Sequence, residues 1–199
     1  MVKPELIFIS GCNAAGKSTF IRTRLNELED FVVLMTDVYK SRTKEMAYQA
    51  ISGGKSVLVE TVFNDASFSL IVDAARDAGY RTSLIALFLD NPDQSFSRVA
   101  SRIVKQNGLV ISKGNVRINF NESFKNLAQY FFYFDRSDFI YTGLSGQNKL
   151  IMSFNKGGLL SYTASELSYP QKFAEYSYRK ERLNEDAYNI ITANQDFTK

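Results

Sequence analysis

Residues 11–19 read Gly11-Cys12-Asn13-Ala14-Ala15-Gly16-Lys17-Ser18-Thr19, which fits the pattern G-x-x-x-x-G-K-[ST] of a phosphate-binding loop. The apolar run Leu6-Ile7-Phe8-Ile9 precedes it, and apolar residues at helical spacing follow it. Its glycines let consecutive backbone N–H groups turn inward, and a helix that starts at the loop adds the positive end of its dipole. The segment therefore predicts a strand, a loop that binds a nucleoside triphosphate, and a helix.

Individual residues of the loop have separate predicted roles, although all nine are expected to bind the nucleotide. Lys17 is expected to reach the β- and γ-phosphates and to act in catalysis, and the hydroxyl of Ser18 is expected to hold Mg²⁺. Cys12 is expected to be only a small loop residue, because the chain has no histidine that could activate its thiol. The predicted cofactors are ATP and Mg²⁺.

The composition of the 199 residues indicates one ordinary α/β domain. A hydrophobic content of 45% is enough for a sizeable core, and a net charge of +3 is too small to indicate a nucleic-acid partner. No apolar run approaches the roughly 20 residues that a membrane span requires. Because the single cysteine cannot form an internal disulfide, we expect the cytoplasm as the compartment.

The chain contains no histidine, which excludes several kinds of active site. Ser-His-Asp and Cys-His pairs, histidine metal sites and an imidazole base are all ruled out. Any general base must be a carboxylate, unless it is an unusual lysine or tyrosine. Phosphoryl transfer tolerates this restriction, because most of its catalysis consists of positioning and charge neutralisation.

Short apolar runs alternate with helical patterns over most of the chain. Strands are predicted at 6–10, 31–36, 56–62, 82–89 and 138–142, and helices at 17–29, 38–51, 68–78, 94–105 and 116–134. Such alternation predicts a P-loop NTPase three-layer α/β fold, with a five-stranded parallel sheet flanked by helices. A β-hairpin over 149–162 follows, then a helix and a loose end. We expect a single domain over 1–199, with a core at about 5–145 and the hairpin and helix at 146–199.

Aromatic residues are concentrated in the last of these predicted helices. Phe120, Phe124, Leu127, Phe131 and Phe134 are spaced 4, 3, 4 and 3 residues apart, which places them on one helix face. Base stacking is an alternative use for such rings, but core packing is the expected one.

Carboxylates follow the predicted strands at the edge where ligands bind in an open α/β sheet. Asp37 follows the second strand and is expected to accept the proton of an acceptor hydroxyl; the alternative is an N-cap of the next helix. Glu60 and Thr61 end the third strand and are expected to bind Mg²⁺ through water or to hold the acceptor's hydroxyls. The alternative for Glu60 is a buried acid satisfied by neighbouring backbone. Asp90, after the fourth strand, is expected to be structural.

Arginines flank a glycine-bracketed segment, residues 107–114. Arg98 and Arg102 lie four residues apart on one face of the preceding helix, and Arg117 opens the next helix. We expect this segment to be a mobile lid, with Arg102 and Arg117 neutralising the transferred phosphoryl group. The alternative is a solvated basic face, which suits Arg98 better than the other two.

These features follow one another in an order that resembles the zeta-toxin-like kinases over about residues 5–145. The residues that carry the resemblance are the phosphate loop, Asp37, Glu60-Thr61-Val62-Phe63, Gly79-Tyr80, Arg98-Val99-Ala100-Ser101-Arg102-Ile103, Asn107-Gly108 and Arg117. The resemblance implies that Lys17 and Ser18 bind ATP and Mg²⁺, that Asp37 is the base and that Arg102 and Arg117 clamp phosphate. The family's characterised members phosphorylate a sugar hydroxyl of UDP-N-acetylglucosamine, so the resemblance implies a sugar nucleotide as a candidate acceptor. Where relatives often carry several arginines, this chain has Arg117-Ile118-Asn119.

The sequence thus predicts an ATP-dependent kinase that transfers the γ-phosphoryl group to a hydroxyl of a small molecule, of which a sugar nucleotide is one candidate. An antitoxin-like protein is a candidate partner. Two alternatives stay open. One is a kinase of another hydroxyl, on a nucleoside, a free sugar or a polynucleotide end. The other is a low-turnover, ATP-binding toxin–antitoxin or regulatory protein.

Overall fold

The strands form one sheet in the order β2-β3-β1-β4-β5-β6-β7-β8. The structure, a computed structural model, describes residues 3–106, 111–144, 147–156 and 158–199, and all counts of elements below refer to these ranges. The strands are β1 (Glu5–Ser10), β2 (Val32–Met35), β3 (Val57–Thr61), β4 (Arg81–Phe88), β5 (Arg136–Tyr141), β6 (Lys149–Asn155), β7 (Gly158–Tyr162) and β8 (Phe197–Thr198). The first five are parallel and the last three are antiparallel to their neighbours.

The five-stranded parallel sheet predicted from the sequence is confirmed, with each strand within two residues of its expected ends. Every residue of β3 is buried, as a parallel strand covered on both faces requires. Because β1 lies between β3 and β4, the loop after β1 stands at the carboxyl edge of the sheet, beside the end of β3. The pairs Ile9 with Glu60 and Met35 with Glu60 fix this arrangement.

The helices connect the parallel strands and then cover the C-terminal part of the sheet. They are α1 (Lys17–Arg22), α2 (Thr36–Tyr39), α3 (Thr43–Ser52), α4 (Ser69–Asp77), α5 (Pro92–Gln106), α6 (Lys113–Tyr130), α7 (Tyr169–Arg179) and α8 (Glu185–Thr192). None of these helices combines the length and the hydropathy that a membrane crossing would need.

Two predicted helices are shorter or interrupted in the structure. The helix expected over 17–29 ends at Arg22, where the hydroxyl of Thr23 donates a hydrogen bond to the carbonyl of Phe20. The helix expected over 38–51 breaks at Lys40, whose φ of 51° is incompatible with a right-handed helix. In both cases the helix ends at a local feature of the chain, although apolar residues continue at helical spacing beyond it.

The loose end predicted after the C-terminal helix is wrong. Two helices, α7 and α8, follow the hairpin, and β8 then pairs with β7 through Ser161 with Thr198 and Tyr162 with Phe197. The carboxylate of Asp90 fastens the start of α7, since its Oδ1 accepts the N–H of Tyr169 at 2.8 Å. Asp90 is therefore structural as expected, although the helix that it caps is 79 residues away in sequence.

The predicted aromatic stripe lies in the core, as expected, although α6 ends at Tyr130, before Phe131 and Phe134. Phe120, Leu127, Phe131 and Phe134 are buried, and Phe124 packs against the same cluster. The rings of Phe131 and its neighbours contact the antiparallel strands and α7, with centroids 4.7 Å from Phe154 and 5.2 Å from Phe173. This stripe joins the C-terminal elements to the parallel sheet, and its role is packing.

Candidate active site

Residues 11–16 form the loop between β1 and α1 predicted from the sequence, and its backbone requires glycine at one position above all. Gly11 has φ 151°, and a Cβ there would lie 2.0 Å from the carbonyl oxygen of Leu87 on β4. Gly16 caps α1 with φ 94°, while Ala14 adopts the left-handed region at φ 57°. The loop therefore lies against β4 with no room for a side chain at its first residue.

The carbonyl groups of five consecutive loop residues, 11–15, each accept a side-chain hydrogen bond. Nζ of Lys17 donates to the carbonyls of residues 11 and 12 at 2.9 and 3.2 Å. The hydroxyl of Ser95 and the guanidinium of Arg98, both on α5, donate to the carbonyls of 13 and 14 at 2.7 and 3.3 Å. The hydroxyl of Thr142, after β5, donates to the carbonyl of 15 at 2.8 Å.

The backbone N–H groups of the same loop remain available for an anion. Within the described ranges, those of residues 13, 14, 16, 17 and 18 make no hydrogen bond. Carbonyl groups that have partners and N–H groups that have none, at the start of α1, suit an anion-binding nest. This arrangement is the geometry that the G-x-x-x-x-G-K-[ST] pattern predicts.

A cavity of about 430 Å³ opens over the loop, and it collects most of the predicted site residues. Those that line it are Asn13, Ala14, Gly16, Lys17, Ser18, Thr19, Asp37, Glu60 and Arg102. Gly11, Cys12 and Ala15 belong to the same loop but are buried and do not line the cavity. A second, shallower depression of about 980 Å³, between β6–β7 and the α7–α8 connection, is lined by none of the predicted site residues.

Lys17 and Glu60 form a buried ion pair on the floor of this cavity. Nζ of Lys17 lies 3.4 Å from Oε1 of Glu60, and the side chains are only 8% and 3% exposed. Burial raises the pKa of the Glu60 carboxyl; the ammonium of Lys17 opposes the shift, and the carboxylate of Asp37 adds to it. Oε2 of Glu60 is buried and has no hydrogen-bond partner in the described part of the chain. The alternative of an acid satisfied by neighbouring backbone is therefore wrong.

Asp37 lies in the same cavity but is exposed to solvent. Met35 occupies the N-cap of α2, and no side chain caps that helix end. The alternative that Asp37 serves as an N-cap is therefore wrong. Its carboxylate also makes no hydrogen bond within the ranges that the structure describes, so both oxygens are open to a ligand.

Besides Gly11, Cys12 and Ala15, two predicted site residues outside the loop do not line the cavity. The hydroxyl of Thr61 is buried and accepts the N–H of Phe63 at 3.0 Å, which uses it for the turn after β3. Arg117 is exposed on α6 and lies away from the cavity lining. The centre of the predicted lid, residues 107–110, lies outside the described residues.

The zeta toxin family model matches residues 41–142, just over half of the chain. The chain belongs to the zeta toxin family. The matched region contains Glu60, Arg98, Arg102 and Arg117 and ends at Thr142, but it excludes the phosphate loop and Asp37. No curated protein matches the chain.

Solved structures similar to this zeta toxin family chain show the same fold. One comes from a study of the PezAT chromosomal toxin–antitoxin system of Streptococcus pneumoniae; it is 15% identical, with 74% of this chain and 72% of that chain covered and a TM-score of 0.54. Two structures of the AvrRxo1-ORF1:AvrRxo1-ORF2 complex, one with sulphate ions and one with ATP, are 12% identical. They cover 96% of this chain and 75% of that chain, with TM-scores of 0.58 and 0.57.

Several side chains that hold the zeta toxin family site together were missed by the sequence analysis. Ser95 and Thr142 have no motif, and only the tertiary structure brings them to the loop. Arg98 was expected on a solvated face, yet it contacts the loop and lines the cavity. The sequence signal for Arg98 is its spacing of four residues from Arg102, which places both side chains on one face of α5. The side chain of Asn119, on α6, contacts that of Asn13 in the loop.

The thiol of Cys12 does not take part in the site chemistry. It is buried, and this burial raises the pKa of the thiol, so it stays neutral. The ring of Tyr169, the first residue of α7, stacks on the ring of Phe88, with the two centroids 4.4 Å apart. Helix α7 thus packs against the end of β4, which the loop approaches at Leu87.

Proposed function

We propose that this chain is an ATP-dependent phosphotransferase that transfers the γ-phosphoryl group of ATP to a hydroxyl of a small molecule. The observation that carries the proposal is one cavity with three features: an anion-binding nest, the ammonium of Lys17, and the open carboxylate of Asp37. The nest and the cation suit the triphosphate. The carboxylate suits the proton that an acceptor hydroxyl must lose.

Asp37 is proposed as the general base. As the acceptor oxygen forms its bond to the γ-phosphorus, the carboxylate takes the hydroxyl proton, and the bond between the γ-phosphorus and the leaving oxygen of ADP breaks. Lys17 and Arg102, both in the cavity, would neutralise the charge on the phosphoryl oxygens. Arg117 lies outside the cavity lining, so its role as a phosphate clamp requires that substrate binding moves it towards the cavity.

The residues present fit Mg²⁺. The hydroxyl of Ser18 lines the cavity, and Oε2 of Glu60 is a buried carboxylate oxygen without a partner. Among the described residues no cluster of three metal-ligating side chains occurs, which suits an ion held largely by substrate phosphates and water. Ser18, with Glu60 through water, would hold it. When bound, Mg²⁺ supplies charge neutralisation at the β- and γ-phosphates.

The acceptor and the partner are proposed from the family. Membership in the zeta toxin family supports a sugar nucleotide as the acceptor, which Glu60 would help to bind. The similar structure from a toxin–antitoxin system supports an antitoxin-like protein as the partner. Dependence on ATP and the single cysteine support a cytoplasmic location.

The test is product detection with labelled ATP, Mg²⁺ and separate acceptors: UDP-sugars, free sugars, nucleosides and an oligonucleotide 5′ end. We expect a phosphorylated UDP-sugar, identified by mass spectrometry. Asp37→Asn should lower kcat about 10²-fold or more while ATP affinity stays unchanged. The matched control is Asp77→Asn, an exposed acid at the end of α4, which should leave kcat unchanged.

The outcomes separate the competing functions. Transfer to another acceptor would keep the kinase and replace the substrate. ATP binding without any transfer would favour a low-turnover regulatory protein. Parental turnover in Asp37→Asn would exclude Asp37 as the base.

A further inference from the structure

Three asparagine side chains form a chain of hydrogen bonds that reaches the phosphate loop. Nδ2 of Asn64 donates to Oδ1 of Asn119 at 2.9 Å, and Nδ2 of Asn119 donates to Oδ1 of Asn13 at 2.9 Å. The three residues come from the segment after β3, from α6 and from the loop. We call this set the amide relay.

The direction of the relay determines which group Asn13 presents to the cavity. Its Oδ1 accepts from Asn119, so its NH₂ group, which has no other hydrogen bond within the described ranges, is left for a ligand. An amide NH₂ is a double donor, and phosphate oxygens are acceptors. The reverse direction would turn Oδ1 of Asn13 towards the cavity, where a phosphate oxygen would repel it. A bound phosphate therefore favours the direction that the structure shows.

Both the main chain and the side chain of Asn13 are held. Its carbonyl accepts the hydroxyl of Ser95 from α5, and its side chain is held by Asn119 from α6. Helix α6 makes a second contact two turns after Asn119, on the same face, where Nδ2 of Asn126 donates to the carbonyl of Phe63 at 2.9 Å. The amide of Asn13 is thus aimed by contacts that lie outside the loop.

We propose that Asn119 is a positioning residue that aims the NH₂ group of Asn13 at the phosphates of ATP, with Asn64 aiming Asn119 in turn. The proposal rests on the ATP-binding function proposed above and adds a residue to it. Asn119 acts through Asn13 and does not itself line the cavity.

The test uses substitutions that change the direction of the relay. Asn119→Ala removes the hydrogen bond and leaves the Asn13 amide free to rotate, so affinity for Mg²⁺ and a non-hydrolysable ATP analogue should fall about 3-fold. Asn119→Asp offers only acceptors, so Asn13 must donate to it and turn its own oxygen towards the phosphates. Affinity should then fall about 10-fold or more. Asn64→Asp should reverse the relay from its far end and also weaken binding.

Asn121→Asp is the matched control, because it places the same charge on an exposed face of the same helix. It should leave affinity unchanged. Binding is measured by titration calorimetry, and the melting temperature of every variant shows that it is folded. Asn13→Ala removes the aimed donor, so Asn119→Asp should have no further effect in that background.

The results distinguish this proposal from the proposed function. If the parent binds no ATP analogue, both fail. If the parent binds and folded Asn119→Asp matches Asn121→Asp, the relay does not aim the donor and this proposal alone is overturned. Additive losses in Asn13→Ala and Asn119→Asp would also overturn it, since a positioning residue can act only through the group that it positions.

Discussion

Replacement of Lys17 by methionine should separate its contribution to stability from its contribution to ATP binding. In the folded chain Glu60 is buried, and its Oε1 lies 3.4 Å from Nζ of Lys17. Removing one partner of a buried ion pair costs about 3 to 5 kcal/mol. The lower end applies here, because Glu60 can neutralise itself by taking a proton. A loss of about 3 kcal/mol corresponds to a fall in Tm of roughly 6 to 12 °C for a chain of this size.

The second substitution, Glu60→Gln in the Lys17→Met background, should restore most of this stability, because no buried charge remains unpaired. ATP binding should not return. The ammonium of Lys17 is a charged donor to phosphate, and its loss should weaken affinity for the non-hydrolysable analogue about 10- to 100-fold in both variants. Calorimetric unfolding and titration calorimetry measure the two effects.

Lys125→Met is the matched control, since it removes an exposed ion pair with Glu122 on α6. Solvent screens that pair, so both measurements should stay at the parental values. An unchanged Tm in Lys17→Met would show that the buried pair does not stabilise the fold. Parental affinity in either Lys17 variant would refute the assignment of the phosphate loop.

Three further predictions follow from other parts of the site. Arg102→Ala should lower kcat about 10²-fold or more with little change in ATP affinity, and equal changes in steady-state kinetics and binding would limit Arg102 to nucleotide binding. Gly11→Ala should unfold at a much lower temperature than Gly79→Ala, because its Cβ would lie 2.0 Å from a carbonyl oxygen whereas that of Gly79, also at positive φ, meets open space; equal melting temperatures would contradict this. The third concerns pH. The pKa of Glu60 is raised in the folded state, so the stability that its neutral form contributes is present below the unfolded pKa of about 4.3 and is lost as pH rises through the folded pKa. In the Lys17→Met background, where no ammonium opposes the shift, Glu60→Gln should therefore raise the melting temperature at pH 8 and leave it unchanged at pH 4, and a difference independent of pH would be evidence against the shift.

Local sequence was sufficient for the parallel sheet and for the phosphate loop. Buried parallel strands must be short apolar runs, and the loop favours glycine where its backbone touches β4, at residue 11, or has a φ of 94°, at residue 16. Gly11 and Gly16 are therefore visible in the sequence before any partner is known. The same holds for Asp37 and Glu60, because carboxyl ends of parallel strands meet at one edge.

The strand pairing in the C-terminal part of the chain could not be predicted from the sequence. The strand β8 has two residues, and it exists because β7 offers an open edge to it. The residues of β8 alone are too few to show a period of two. Asp90 likewise holds the start of a helix that begins 79 residues later, so its local context could not show which helix it contacts.

The sequence by itself determined which atoms can bind phosphate, and the tertiary structure decided which side chains hold those atoms in place. Ser95, Thr142 and Asn119 contact loop residues that are 82, 127 and 106 positions away. A serine, a threonine and an asparagine on a helix or after a strand carry no motif, since each hydrogen-bonds equally well to water. Only the packing of α5, α6 and the end of β5 around the loop gives them a partner. For the same reason Arg98 lies in the site and Arg117 lies outside it, although the two arginines look alike in the sequence.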